Sequence, residues 1–188
     1  MHGCASLLKR ALFVALLLVS ALAQADITFR QAKVQLGDEG YLLSARFACS
    51  LPPALEDALQ QGMTLGFALD FELIRHRRLW FDSTVVTLQR SYKLSYSALT
   101  RQYRLSYGGL YRGYPRLDSA LGALCTPSGW QVLEKGGLRE LGDLQGRIRL
   151  QLDSQQLPQT FQIKTLTSPD WNLGSDWQSF SFTPEAAP

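Results

Sequence analysis

Asp70 and Glu72 are the residues of this 188-residue chain whose types and spacing come nearest to catalysis. Two apart in a strand-like run, they project from one face at a separation of about 6.5–7 Å, with Asp82 nearby in sequence. An acid and a base so placed could flank a glycosidic bond, which makes a carboxylate-dependent glycan hydrolase or lyase one function class open to the chain. The competing reading is structural. Alternating acids that face Arg90, Lys93 or Arg104 on a neighbouring strand form ordinary cross-strand ion pairs on a solvated face.

Other catalytic routes are narrow. Apart from His2 in the N-terminal leader, His76 is the only histidine, so no multi-histidine zinc site can be assembled, and no His or Cys cluster has metal-ligand spacing. A serine triad would need His76 as its base, yet Arg75, Arg77 and Arg78 flank it and disfavour the imidazolium it must pass through. Neither a G-x-S-x-G elbow nor a phosphate-cradling glycine loop is present. The expectation is a protein without cofactor or metal, and a binding role ahead of an enzymatic one.

The arginines point to binding. Arg75, Arg77, Arg78, Arg90, Arg101 and Arg104 are interleaved with Trp80, Tyr92, Tyr96, Tyr103 and Tyr107. Arginine mixed with aromatic residues is the composition enriched in interface anchors. Arg75, Arg77, Arg78, Trp80, Arg101, Tyr103 and Arg104 are therefore the candidate contacts for a protein or cell-envelope component. The alternative is a stacked Arg and Tyr ladder that only stabilises the sheet surface. Farther on, Asp170-Trp171 and Asp176-Trp177 place two tryptophans where they either stack on a sugar or peptide or fasten the C-terminal segment to the sheet.

These residues are carried by β-structure. Across residues 64–109, Leu65, Phe67, Leu69, Phe71 and Leu73 alternate with Gly66, Ala68, Asp70 and Glu72, and Val86, Leu88, Tyr92, Leu94 and Tyr96 share a second phase. That is a long antiparallel meander. Strands are also expected over 27–35, 41–49, 147–153, 161–166 and 178–182, with extended chain through Trp130, Val132 and Leu138. Short helices are expected over 53–61 and after Pro115, each begun by proline. The pattern predicts a mainly β fold, an antiparallel β-sandwich or strongly curved sheet with two short capping helices.

The N-terminus predicts export. Lys9 and Arg10 precede an apolar run over 11–22, and Ala23-Gln24-Ala25 supplies an Ala-x-Ala cleavage site, so residues 1–25 read as a cleaved signal peptide. The apolar run is too short to span a bilayer. Residues 26–188 then form one β-rich domain, with no transmembrane span after cleavage. Basic and acidic residues number 19 and 16 in the whole chain, and nearly balance once Lys9 and Arg10 leave. That balance and export together argue against nucleic acid as a partner. Cys49 and Cys125 remain in a compartment where disulfides form. They are either a bridge or two separate buried thiols.

Five segments carry a resemblance: FELIRHRRLWFD, RSYKLSYSALTRQYRLS, LDSALGAL, LDSQQLPQTFQI and DWNLGSDW, in that order. Together they resemble an exported proteobacterial family known as a domain of unknown function, number 4390. The resemblance implies a periplasmic setting. It implies no activity, cofactor or catalytic residue.

Overall fold

The computed structural model describes residues 26–75, 82–136 and 144–183. They run through β1 (Ile27–Leu36), β2 (Gly40–Cys49), α1 (Pro53–Gln60), β3 (Leu65–Arg75), β4 (Ser83–Ser97), β5 (Gln102–Tyr107) and β6 (Leu110–Tyr114). The chain continues through α2 (Leu117–Leu124), β7 (Trp130–Glu134), β8 (Leu144–Leu152), α3 (Gln159–Thr167) and β9 (Gln178–Ser181). Two antiparallel sheets result, one of three strands in the order β1-β2-β7 and one of six in the order β6-β5-β4-β3-β8-β9. The fold is mainly β with short helices, and neither sheet closes into a barrel. Among the described residues no helix is long and apolar enough to cross a membrane.

The alternation in β3 explains the core. Phe67, Leu69 and Phe71 lie opposite Leu152, Leu150 and Ile148 of β8. On the other side Leu65, Phe67, Phe71 and Leu73 lie opposite Leu94, Tyr92, Leu88 and Val86 of β4. Side chains that share a face must be buried together, and the three-stranded sheet supplies the cover through Val34, Leu43, Phe47, Trp130 and Val132. The ring of Phe71 meets Trp130 edge-on at 6.2 Å and lies 6.4 Å from Phe180 and 6.3 Å from Phe182. Gly146 makes this possible. A Cβ there would sit 2.4 Å from the Phe180 ring, which crosses the glycine to reach Phe71.

A bulge re-aims β1. Ile27 and Phe29 turn inward, but the register with β2 shifts between Phe29 and Gln31, and from there Ala32 and Val34 turn inward instead. One extra residue in a strand flips its inward phase from odd to even positions.

The two expected helices are present as α1 and α2, the second beginning at Leu117. A third stands where the sequence suggests a strand over 161–166. Pro158 starts it, its carbonyl accepting from the Phe161 and Gln162 amides at 2.8 and 3.2 Å. Phe161 rests on Trp171 with ring centroids 4.9 Å apart, while Ile163 stays 66% exposed. With no continuous apolar stripe, the alternation of Phe161, Ile163 and Thr165 imitates a strand. The expectations for the leader 1–25 and for Leu138 lie outside the described residues.

Candidate functional site

The outward face of the six-stranded sheet fixes the fate of the two carboxylates. Register places Gln89 of β4 and Arg149 of β8 on either side of Asp70. Asp70 is 8% exposed. Its Oδ1 accepts from Gln89 Nε2 at 2.8 Å, and its Oδ2 accepts from Arg149 Nε at 3.2 Å, Arg149 Nη2 at 2.8 Å and Gln151 Nε2 at 3.0 Å. Glu72 pairs with Arg147 at 3.7 Å. Trp177 covers both arginines, its ring 5.0 Å from the Arg147 guanidinium and 4.7 Å from that of Arg149. The acids are therefore cross-strand ion pairs, but with β8 in place of the expected Arg90, Lys93 and Arg104. Asp82 is exposed just before β4, about 20 Å along the strands from Asp70.

The two Asp-Trp pairs serve packing. Trp171 is buried against Phe161, and Trp177 lies over the arginine pair.

The candidate partner residues do not share one face. Arg77, Arg78 and Trp80, like His76, lie outside the described residues. Arg75 ends β3 with its Nε buried and without a hydrogen-bond partner. It lies opposite Ser83, whereas Arg101 sits in the turn beyond Ser97, about 45 Å away along β4. Arg101 holds a left-handed φ of 52° at that exposed tip. Tyr103 turns inward onto Tyr96, with ring centroids 4.9 Å apart. Its neighbour Arg104 turns outward over Tyr111 at 5.7 Å.

A concave site is formed by the inward side of β4, β5 and β6. Arg90 shares the phase of Leu88 and Tyr92, lying opposite Leu69, so it is a cation among core-facing side chains. Its guanidinium is held between Trp130 at 5.0 Å and Tyr107 at 5.6 Å. Leu105 and Arg112 are paired across β5 and β6, as are Tyr103 and Tyr114. Arg90, Tyr92, Tyr107, Leu110, Arg112 and Tyr114 line a cavity of about 460 Å³. Its opposite wall is Ala123 of α2 with Thr126, Pro127 and Ser128. None of the described residues that line it is acidic.

That wall is anchored to the three-stranded sheet. Cys125, at the end of α2, is bridged to Cys49 of β2. The Phe47 amide donates to the Cys125 carbonyl at 2.8 Å, the Ala45 amide to the Pro127 carbonyl at 2.9 Å, and the Gly129 amide to Ser44 Oγ at 3.3 Å. The groove thus lies between a sheet and a loop pinned by covalent and hydrogen bonds.

Burial pushes the Tyr92 phenol above its ordinary 10.0, and the Arg90 guanidinium beside it opposes that shift without cancelling it. The folded state favours the neutral phenol. Its contribution to stability is whole below pH 10.0 and is lost as pH climbs through the raised value. In a tyrosinate absorbance titration, the component missing from Tyr92→Phe should be centred above pH 10.0. A missing component centred at or below that pH would contradict this placement of Tyr92.

Arg90 in the apolar phase, Arg112, Tyr114 and the segment 126–128 were not among the candidates read from the sequence. Only Arg90 leaves a signal there, as the single charge in an otherwise apolar alternation. No group of acids, histidines or cysteines among the described residues could hold a metal ion. Residues 24–181 match the family model described as Domain of unknown function (DUF4390). No match to a curated protein or to a solved structure was found.

Proposed function

We propose, from the premise that this chain belongs to the DUF4390 family of domains of unknown function, that it is an exported periplasmic binding or accessory module. Its groove receives a protein or cell-envelope partner. The observation that carries this reading is the cavity of about 460 Å³, walled by tyrosines, with Arg90 and Arg112 among its lining and no described acid there. The volume falls within the range of about 300–1,000 Å³ usual for ligand sites. A half-buried Arg90 and an exposed Arg112, without an acid in the same wall, favour an anionic visitor.

Export is supported by the leader over 1–25 and by the Cys49 to Cys125 bridge, since disulfides persist in oxidising compartments. The glycan hydrolase or lyase reading loses its support because both Asp70 oxygens are already engaged.

Photo-crosslinking amino acids introduced singly at Tyr107 and Leu110 in intact cells should give partner adducts. The same groups at Gln89 and Lys93, on the opposite face, should give none. Adducts from the opposite face alone would overturn the assignment.

A further inference from the structure

β6 is an open edge of the six-stranded sheet and also a wall of the groove. Gly108 and Gly109, at φ 56° and 82°, close the β5–β6 hairpin in two residues. Flanking residues of such a turn exchange hydrogen bonds, and bonded pairs alternate from there. Tyr107 with Leu110, Leu105 with Arg112 and Tyr103 with Tyr114 are thus bonded pairs. The N–H and C=O groups of Tyr111 and Gly113 point away from β5 toward the open side.

Protected edges are short, bulged or charged. β1 has a bulge at Phe29 and Gln31, and β9 has only four residues. β6 is also short, with five residues, and carries Arg112, but it pairs with β5 without a register shift, and Leu110 and Tyr111 are 70% and 73% exposed.

We infer that the groove takes an extended acidic peptide segment of the partner, added to β6 as a further strand. This rests on the binding-module reading. A peptide strand would bond the free Tyr111 and Gly113 backbone groups and send alternate side chains about 6.5–7 Å apart into the groove beside Arg112. Its other side chains would run beside Arg104, which lies over Tyr111 on the far face. Both faces at this edge are basic, which selects acidic residues in either phase. The same charges disfavour a second copy of the chain, whose own Arg112 and Arg104 would be brought against them. A glycan or lipid headgroup could meet the arginines but would leave the edge amides unused.

The test is selection of random nonapeptides displayed on phage against the exported full chain. Enriched sequences should carry glutamate or aspartate at alternate positions. A synthetic consensus peptide should lose affinity by about tenfold or more with Gly113→Pro and with Arg112→Glu, read by fluorescence polarisation. Proline is tolerated at an edge whose N–H faces solvent, and a Cβ at Gly113 meets only the movable end of Gln102. Exchanging the peptide's acids for lysines should restore binding to Arg112→Glu. That charge swap decides the matter should Gly113→Pro fail to fold. Enrichment without acids, or affinity indifferent to Gly113→Pro in a folded protein, overturns the acidic-strand inference and leaves the binding module standing. No enrichment at all overturns the acidic-strand inference, while the binding module is decided separately by the crosslinks at Tyr107 and Leu110. A dimer in sedimentation that Gly113→Pro dissociates would assign the edge to a second copy and overturn the inference.

Discussion

Serine at both Cys49 and Cys125 is expected to lower the thermal midpoint by about 10 °C and to loosen the groove in the same step. The bridge joins residues 76 apart in sequence. On the chain-entropy account, closing a loop of that length restricts the unfolded chain by about 4 kcal/mol, and a domain of this size shifts by about 2–4 °C per kcal/mol. The native state is affected too. Segment 126–128 forms one wall of the cavity and hangs from β2 through the bridge and through the Phe47 and Ala45 amides. Without the covalent tie those hydrogen bonds must hold the wall alone, so affinity at the groove should fall with stability. Circular dichroism melts of the native protein with and without reductant, beside the double variant, provide the measurement. Coincident midpoints in all three would show that the bridge contributes nothing.

The alternation that built β3 and β4 was legible because both strands face one apolar cover, and a period of two survives any strand order. Partners were not legible. Asp70 finds Arg149, 79 residues away, only because β8 pairs on the side of β3 opposite β4. No local pattern encodes that choice. The same period of two separates Tyr103 from Arg104, so a cluster that is dense in sequence divides between two faces of the sheet. A partner surface read from composition alone merged those faces, and merged the two ends of the long strand β4 as well. The third helix was hidden because its side chains show no stripe, and its one strong signal is Pro158. The groove was hidden for a different reason: β6 and segment 126–128 are brought together by a hairpin and a bridge, and neither leaves a periodicity.

Asp70→Asn is expected to cost about 2 kcal/mol of stability while leaving groove binding unchanged. The carboxylate meets four donated hydrogen bonds with two oxygens. An asparagine removes the charge and turns an amide N–H₂ against donors on at least one side. Hydrogen bonds to charged groups contribute about 1.5–3 kcal/mol, and breaking a fully buried ion pair costs about 3–5. The lower figure applies here because the Arg149 side chain is 31% exposed, so water can rehydrate the freed guanidinium. Trp177, stacked on that guanidinium at 4.7 Å, keeps it near its place. Glu72→Gln breaks a looser pair, 3.7 Å apart with side chains 24% and 34% exposed, and should cost less than about 1 kcal/mol. Urea midpoints at constant m-value separate the two variants. A catalytic pair would behave otherwise, with both substitutions abolishing function and Asp70→Asn leaving the midpoint in place. That outcome would return the outward face to the enzymatic reading. A midpoint shift confined to Asp70→Asn makes the carboxylate part of the framework that holds β4, β3 and β8 in register beneath the groove.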